Sequence, residues 1–174
     1  MGKYAYLKEK KSPRLLVEAY KLIGIKEIVG QEDNPIILGW AEKLGLSKVY
    51  TNDEIAWCGL FVAICCYNAG LPFVKDPLWA RNWLNYGTKQ KVAKLGDILV
   101  FSRPGGGGHV AIYVGEDDLH YHILGGNQSN QSGVVEILKT RTIGIRRTDW
   151  KVAEPDEVEQ IFLNSSGVIS KNES

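Results

Sequence analysis

The sequence predicts an α+β fold in a single domain, with a helical first half packed on an antiparallel sheet of about five strands. Three observations lead there. Before Gly96 the apolar residues recur at helical spacing, whereas after it they fall in short β-branched runs broken by glycine and turn residues. Helices grouped first and strands second is the order of α+β proteins, not of alternating α/β ones. At 174 residues the chain is long enough to bury one core without disulfide or metal support.

The first predicted helix covers residues 12–24, with Ser12 as N-cap, Pro13 at the first helical position, Leu15, Leu16, Ala19, Leu22 and Ile23 on one face, and Gly24 as the stop. Asn34-Pro35 repeats the start signal for a shorter helix through Ile37, Leu38, Trp40 and Ala41 to Leu44. Asn52 and Asp53 are placed to cap the next helix, roughly residues 57–69. That helix is apolar almost all round, the pattern of one buried on most sides. A fourth, from about Pro77 to Tyr86, carries Trp79 and Trp83 four apart on one face, either as core or as an aromatic wall for a ligand. Strands are predicted at residues 97–102, 109–115, 119–124, 134–138 and 142–147. Residues 1–153 form the expected domain. The tail 154–174 has the acidic and polar composition of a segment that does not hold an ordered structure.

Composition excludes several classes of function. With 21 basic and 20 acidic residues the net charge is +1, and the one short basic cluster, Lys8, Lys10, Lys11 and Arg14, reads as a solvated end, so no nucleic-acid partner is expected. Three cysteines, two of them adjacent in an apolar run, do not make a disulfide framework. There is neither an apolar leader at the start nor a stretch of 18 apolar residues, so no signal peptide and no membrane span are expected. The expectation is synthesis in the cytoplasm. His120 and His122 share one strand face, but no further metal-binding spacing accompanies them, and neither metal nor cofactor is expected.

The chemistry centres on Cys58, at the start of the apolar helix. A thiol attacks as its thiolate, and an ordinary cysteine holds only a few per cent thiolate at neutral pH. The helix dipole there contributes about 0.3–2 kcal/mol toward the anion, so a histidine partner is needed for the rest. A hairpin turning at residues 116–118 pairs residue 109 with residue 127, which places His109 and Asn127 at one sheet edge and turns His120 and His122 to the opposite face. Asn127 is then positioned to orient the imidazole, and the glycines at 105–108 and 125–126 leave room for an extended substrate. Cys65 and Cys66 lie about 10–12 Å further along the helix axis and are expected to be inert core.

Four blocks, Glu54-Ile55-Ala56-Trp57-Cys58-Gly59-Leu60-Phe61-Val62, Leu95-Gly96-Asp97-Ile98-Leu99-Val100-Phe101, Gly108-His109-Val110-Ala111-Ile112-Tyr113-Val114-Gly115 and Gly125-Gly126-Asn127-Gln128-Ser129-Asn130, resemble in order and spacing the motifs of a phage-associated, endolysin-like branch of the NlpC/P60 and CHAP cysteine peptidoglycan hydrolases. The resemblance implies a papain-like fold and hydrolysis of amide bonds in bacterial cell-wall peptidoglycan, as amidase or endopeptidase, through an acyl-enzyme. It implies Cys58 as nucleophile, His109 as general base and acid, and Asn127 as orienting residue, with Gln128 the second choice. Trp57, Gly108, Gly126, Gln128, Trp79 and Trp83 are the expected substrate-contacting residues. Ala111 stands where the family often has glycine. The implied partners are peptidoglycan and, for access to it, a holin or secretion machine, or an immunity protein if the chain is a toxin. Two rivals remain at this point: a non-catalytic wall-binding or structural phage module using Trp79 and Trp83, and a papain-like hydrolase of another acyl substrate.

Overall fold

The structure, a computed structural model, describes residues 4–30, 32–149, 158–164 and 169. The α+β expectation holds. Four helices, α1 (Tyr6–Glu9), α2 (Arg14–Lys21), α3 (Pro35–Lys43) and α4 (Cys58–Asn68), precede an antiparallel sheet of six strands. The strands are β1 (Thr88–Lys89), β2 (Ile98–Ser102), β3 (Gly108–Glu116), β4 (His120–Gly125), β5 (Gly133–Leu138) and β6 (Thr142–Arg147), in the spatial order β1-β6-β2-β3-β4-β5. The five predicted strands are β2 to β6. The sixth is a two-residue pairing of Thr88 and Lys89 with Arg147 and Arg146, too short to show as a sequence period.

Local chemistry explains where the helices begin. Asn34 caps α3 as expected, its side chain accepting from the N–H of Ile36 at 2.8 Å with Pro35 just inside. Ser12 does not cap α2. Its hydroxyl donates to the Lys10 carbonyl at 3.0 Å, and Pro13 takes the cap position with extended backbone. Asp53 likewise caps nothing on α4, which starts directly from Trp57. Its buried carboxylate accepts from the N–H groups of Ile28 and Asn34 at 2.9 and 2.8 Å, tying the loop before α3 to the loop before α4.

The core has two parts, one on each face of the sheet. Even-numbered β3 residues Val110, Ile112 and Val114 pack with Leu124 against α2, α3 and α4, while Ala111 and Tyr113 join Leu99, Phe101 and Ile123 on the other face. All of residues 58–66 on α4 are buried. Leu60, Phe61, Val62 and Ile64 contribute about 1.5–3 kcal/mol each by leaving water. Gly59 is required for this fit, because a Cβ there would stand 2.0 Å from the Pro77 carbonyl oxygen. The same carbonyl accepts from the Trp83 indole N–H at 2.9 Å, so the start of α4 and the segment after it are fastened together.

That segment corrects one expectation. Residues 77–86 do not form an α-helix with Trp79 and Trp83 on one stripe. A tight 3-10 helix runs from Ala80 to Asn85, and Trp79 precedes it with extended backbone, so the two indoles diverge. Trp83 is fully buried and Trp79 is 73% exposed.

Two chain ends also pack more closely than composition implies. Residues 158–164, expected in a tail outside the domain, run beside the end of β3. There the Glu116 N–H donates to Ile161 and the Leu163 N–H donates to Glu116. Val158, Ile161 and Leu163 are buried, and Gly115 makes room, since a Cβ there would lie 2.6 Å from the Leu163 side chain. At the other end Lys10, expected to be solvated, forms an ion pair with Glu159. Residues 154–157, 165–168 and 170–174 of the expected tail lie outside the described residues.

Candidate active site

The hairpin register puts the site together. Ile112 pairs with Leu124 and Tyr113 with Ile123, the register that extrapolates to 109 opposite 127. A bulge between Tyr113 and Gly115 shifts only the turn end of the hairpin. His122 consequently lies on the helix side, where its Nδ1 meets the Tyr4 hydroxyl at 2.8 Å, and His109 lies on the opposite face beside Phe101, with ring centroids 6.5 Å apart.

Backbone hydrogen bonding then relates the cysteine to the strand that carries His109. The Tyr113 N–H points to β2, donating to the Asp97 carbonyl at 2.8 Å, so by alternation the Val110 N–H points to the β4 side. β4 has already ended at Gly125, and no strand residue meets that N–H. The Cys58 thiol lies close enough to this strand edge for the Val110 N–H to act on it. The N–H groups of Val110, of Gly59 and of Cys58 itself, at the start of α4, all favour its anion. One helix terminus and one strand edge therefore both favour the thiolate.

Beyond Gly125 the chain turns sharply, and this decides which amide meets His109. Asn127, Ser129 and Asn130 all have left-handed backbone, with φ near +55 to +59. Asn127 is thereby turned away from the strand direction, and its Nδ2 donates to Glu27 Oε1 at 2.6 Å, which also accepts from the Trp57 indole N–H at 2.5 Å. Gln128 folds back over Gly125 instead, and its Oε1 sits 3.0 Å from His109 Nε2. Its Nδ-equivalent end, Nε2, donates to the Gly125 and Gly133 carbonyls, which fixes Oε1 as the atom facing the ring. A Cβ on Gly125 would stand 3.0 Å from Gln128 Oε1 and 2.8 Å from the Ala111 methyl, so the glycine makes this approach possible. The amide on His109 is thus Gln128, not Asn127. Strand alternation predicts 127 only if β4 continues that far.

Arg103, which sequence reasoning missed, occupies the other side of the imidazole, with Nη2 3.2 Å from His109 Nδ1. A guanidinium can only donate, so Nδ1 is the acceptor and Nε2 carries the proton given to Gln128. Arg103 lies two residues before the glycine run leading to His109. A cation beside a nucleophile's base was the signal that could have found it.

Burial holds the two groups neutral. Burial pushes the Cys58 thiol up, opposed by the Val110 N–H, the Arg103 charge and the N–H groups of Gly59 and Cys58. Desolvation outweighs the helix start. Burial likewise brings His109 down from 6.5 to about 4, with the Gln128 hydrogen bond opposing and the charges of Arg103 and Arg141 adding to the fall. The folded state therefore resists protonation of His109 more than the unfolded chain does. Stability from this group is fully present above about pH 6.5 and is lost as pH falls toward about 4. Between those values the wild type should lose thermal stability that a His109→Gln variant keeps, and parallel acid profiles of melting temperature would refute the assignment.

The other expected contact residues divide. Trp57 is fully buried between Trp40 and Phe61, and Gly126 is pressed against it, since a Cβ would meet the indole at 2.5 Å. With Trp83 they serve packing. Gly108 opens β3 against Ala80 and Arg81, near the mouth of the site, and Trp79 is exposed. Cys65 and Cys66 are buried, and burial pushes the Cys66 thiol up to about 12 against a hydrogen bond with Tyr86. His120 and His122 are tied to the turn by Asp117 at 3.2 and 3.1 Å. Asp117, His120 and Glu136 have ligand atoms within 4.8 Å of one another, but Oδ1 of Asp117 also accepts from the Leu119 and His120 N–H groups, so its hydrogen bonds already account for the cluster.

No helix among the described residues is long and apolar enough to cross a membrane. No curated protein matches the chain. Residues 50–127 match the family model of the CHAP domain, a span that holds Cys58 and His109 and stops one residue short of Gln128, and in this segment the chain is similar to that family.

Proposed function

We propose that the protein hydrolyses amide bonds of bacterial cell-wall peptidoglycan through an acyl-enzyme on Cys58. The observation that carries this reading is a thiol at a helix start whose anion is favoured by the Val110 N–H, one residue along β3 from a histidine whose Nε2–H is held by Gln128. The similarity of residues 50–127 to the CHAP domain supports the substrate class, because that family's members are in general amidases and endopeptidases of peptidoglycan.

In the proposed reaction His109 Nδ1 takes the thiol proton as the sulfur attacks the amide carbon, forming the S–C bond of a tetrahedral intermediate. The imidazolium then gives that proton to the departing amine as the C–N bond breaks. Water, deprotonated by the same nitrogen, releases the acyl group as a carboxylate and restores the thiol. Gln128 holds the Nε2–H, so that Nδ1 is the nitrogen that shuttles. Action outside the cytoplasm, in a lysin-like or toxin-like role with a holin or secretion route, belongs to the same proposal.

Incubation with purified sacculi tests it. Soluble fragments should appear, and their masses should show new amine and carboxyl ends at one kind of amide bond. Sacculi that stay intact while a protein isopeptide substrate is cut would move the activity to another acyl substrate.

A further inference from the structure

Three arginines surround the mouth of the site. Arg103 donates to His109 Nδ1, Arg81 donates to the Gly107 carbonyl at 3.2 and 3.3 Å, and Arg141 donates to the Ser102 carbonyl at 3.0 and 3.2 Å. None of the three meets a carboxylate among the described residues. Arg147 shows what a structural arginine looks like in this fold: its guanidinium grips Asp97 through two bonds of 2.7 Å. Arg103 instead is spent on a neutral imidazole, a weak acceptor for a group whose fork fits a carboxylate.

Its placement is also awkward for catalysis. While Nη2 holds the Nδ1 lone pair, that nitrogen cannot accept the thiol proton, and a bare guanidinium at 3.2 Å opposes the imidazolium that would form. Arg103 stands at the foot of a glycine-rich loop. Gly105 and Gly106 have φ of +79 and +85, and a Cβ on either would meet nothing within 4 Å, so the tip of the loop is unpacked on that side while Gly107 is held by Arg81 and by the Arg103 N–H.

We propose that Arg103 is the substrate anchor: it binds a free carboxylate flanking the scissile amide, and in doing so moves off His109 Nδ1 and frees the base. The site would thus select stem peptides with a carboxylate over those in which the same group is a carboxamide. Bound as an ion pair, the guanidinium no longer opposes the imidazolium, and the substrate switches on the residue that will attack it. Arg81 and Arg141 add to the attraction without touching the ring. This inference rests on the reading of Cys58 and His109 as a nucleophile and its base.

Two measurements separate failure of the anchor from failure of that reading. The first is alkylation of Cys58 by iodoacetate and by iodoacetamide, located by peptide mass; each forms an S–C bond and expels iodide, and only the first reagent carries a carboxylate. The ratio of the iodoacetate rate to the iodoacetamide rate should be about tenfold higher in the wild type than in Arg103→Gln, with Arg103→Lys between them. The second is hydrolysis of wall peptides in carboxylate and carboxamide forms. The wild type should prefer the carboxylate by about tenfold or more in kcat/KM, and Arg103→Gln should lose the preference, mainly through KM. Labelling of Cys58 with a ratio that Arg103→Gln leaves unchanged overturns the anchor alone. A folded wild type in which neither reagent reaches Cys58 overturns the nucleophile and the anchor together.

Discussion

Cys58→Ala should lower hydrolysis of isolated cell wall by about ten-thousand-fold or more while leaving the melting temperature within a few degrees of wild type. Removing a small buried sulfur costs little packing, because Cys58 contributes one atom at the rim of α4, whereas Leu60 or Phe61 fills its centre. Cys58→Ser keeps the shape but presents a hydroxyl that His109 is too weak a base to activate, so it should be nearly as inactive. His109→Ala should fall by a similar factor, since nucleophile and base act as one unit and their losses do not add. The amide residues distinguish this site from the one strand alternation predicts. Gln128→Ala should cost roughly a hundredfold in kcat/KM, because the ring then loses the acceptor at 3.0 Å that fixes its tautomer. Asn127→Ala should act chiefly on stability, through the shared Glu27 contact to Trp57. Were Asn127→Ala the more damaging to kcat, the arrangement around His109 would be wrong; were Cys58→Ala to keep normal activity, the nucleophile would be.

Much of this site is legible in the sequence, and the parts that are not share a physical cause. Apolar residues on all sides of 58–66 predict a buried helix, and burial against α2, α3 and the sheet is what that pattern requires. The hairpin register is legible because a turn of charged residues sits between two β-branched runs, and one slip would exchange the Val110 and Ala111 faces of the core. Errors arise where an element stops. β4 ends at Gly125, so alternation assigns Asn127 to His109 when a left-handed turn brings Gln128 there. The helix through Trp83 begins only at Ala80, so helical spacing assigns Trp79 to a face it does not share. Asp53 satisfies two loop N–H groups where a cap was expected, because a cap and a loop clamp use the same short acceptor side chain. Arg103 escaped because a single arginine before four glycines has no periodicity, and its significance depends on a contact six residues away.

Asp97→Ala should be among the most destabilising single substitutions in the chain, lowering stability by about 3–5 kcal/mol, or the melting temperature by roughly 10 °C. Asp97 lies in the Leu-Gly-Asp-Ile block that resembles a hydrolase motif, and a buried carboxylate in such a block invites a catalytic reading. Its contacts argue otherwise. The side chain is 1% exposed, both oxygens accept from Arg147 at 2.7 Å, and the Lys94 N–H adds a third bond at 2.8 Å. The pair joins the turn before β2 to the end of β6, and Arg147 continues into the pairing with β1. Alanine at 97 would leave the Arg147 charge largely buried without its counterion, which costs far more than the intact pair contributes. A double variant, Asp97→Leu with Arg147→Met, should therefore recover most of the loss, because neither charge is then left behind. Activity supplies the independent arm. At a temperature where Asp97→Ala remains folded, its kcat should stay within a few-fold of wild type, since Asp97 touches neither Cys58 nor His109. A folded Asp97→Ala protein with no activity would move this carboxylate from the framework into the chemistry, and a melting temperature within a degree or two of wild type would remove it from both.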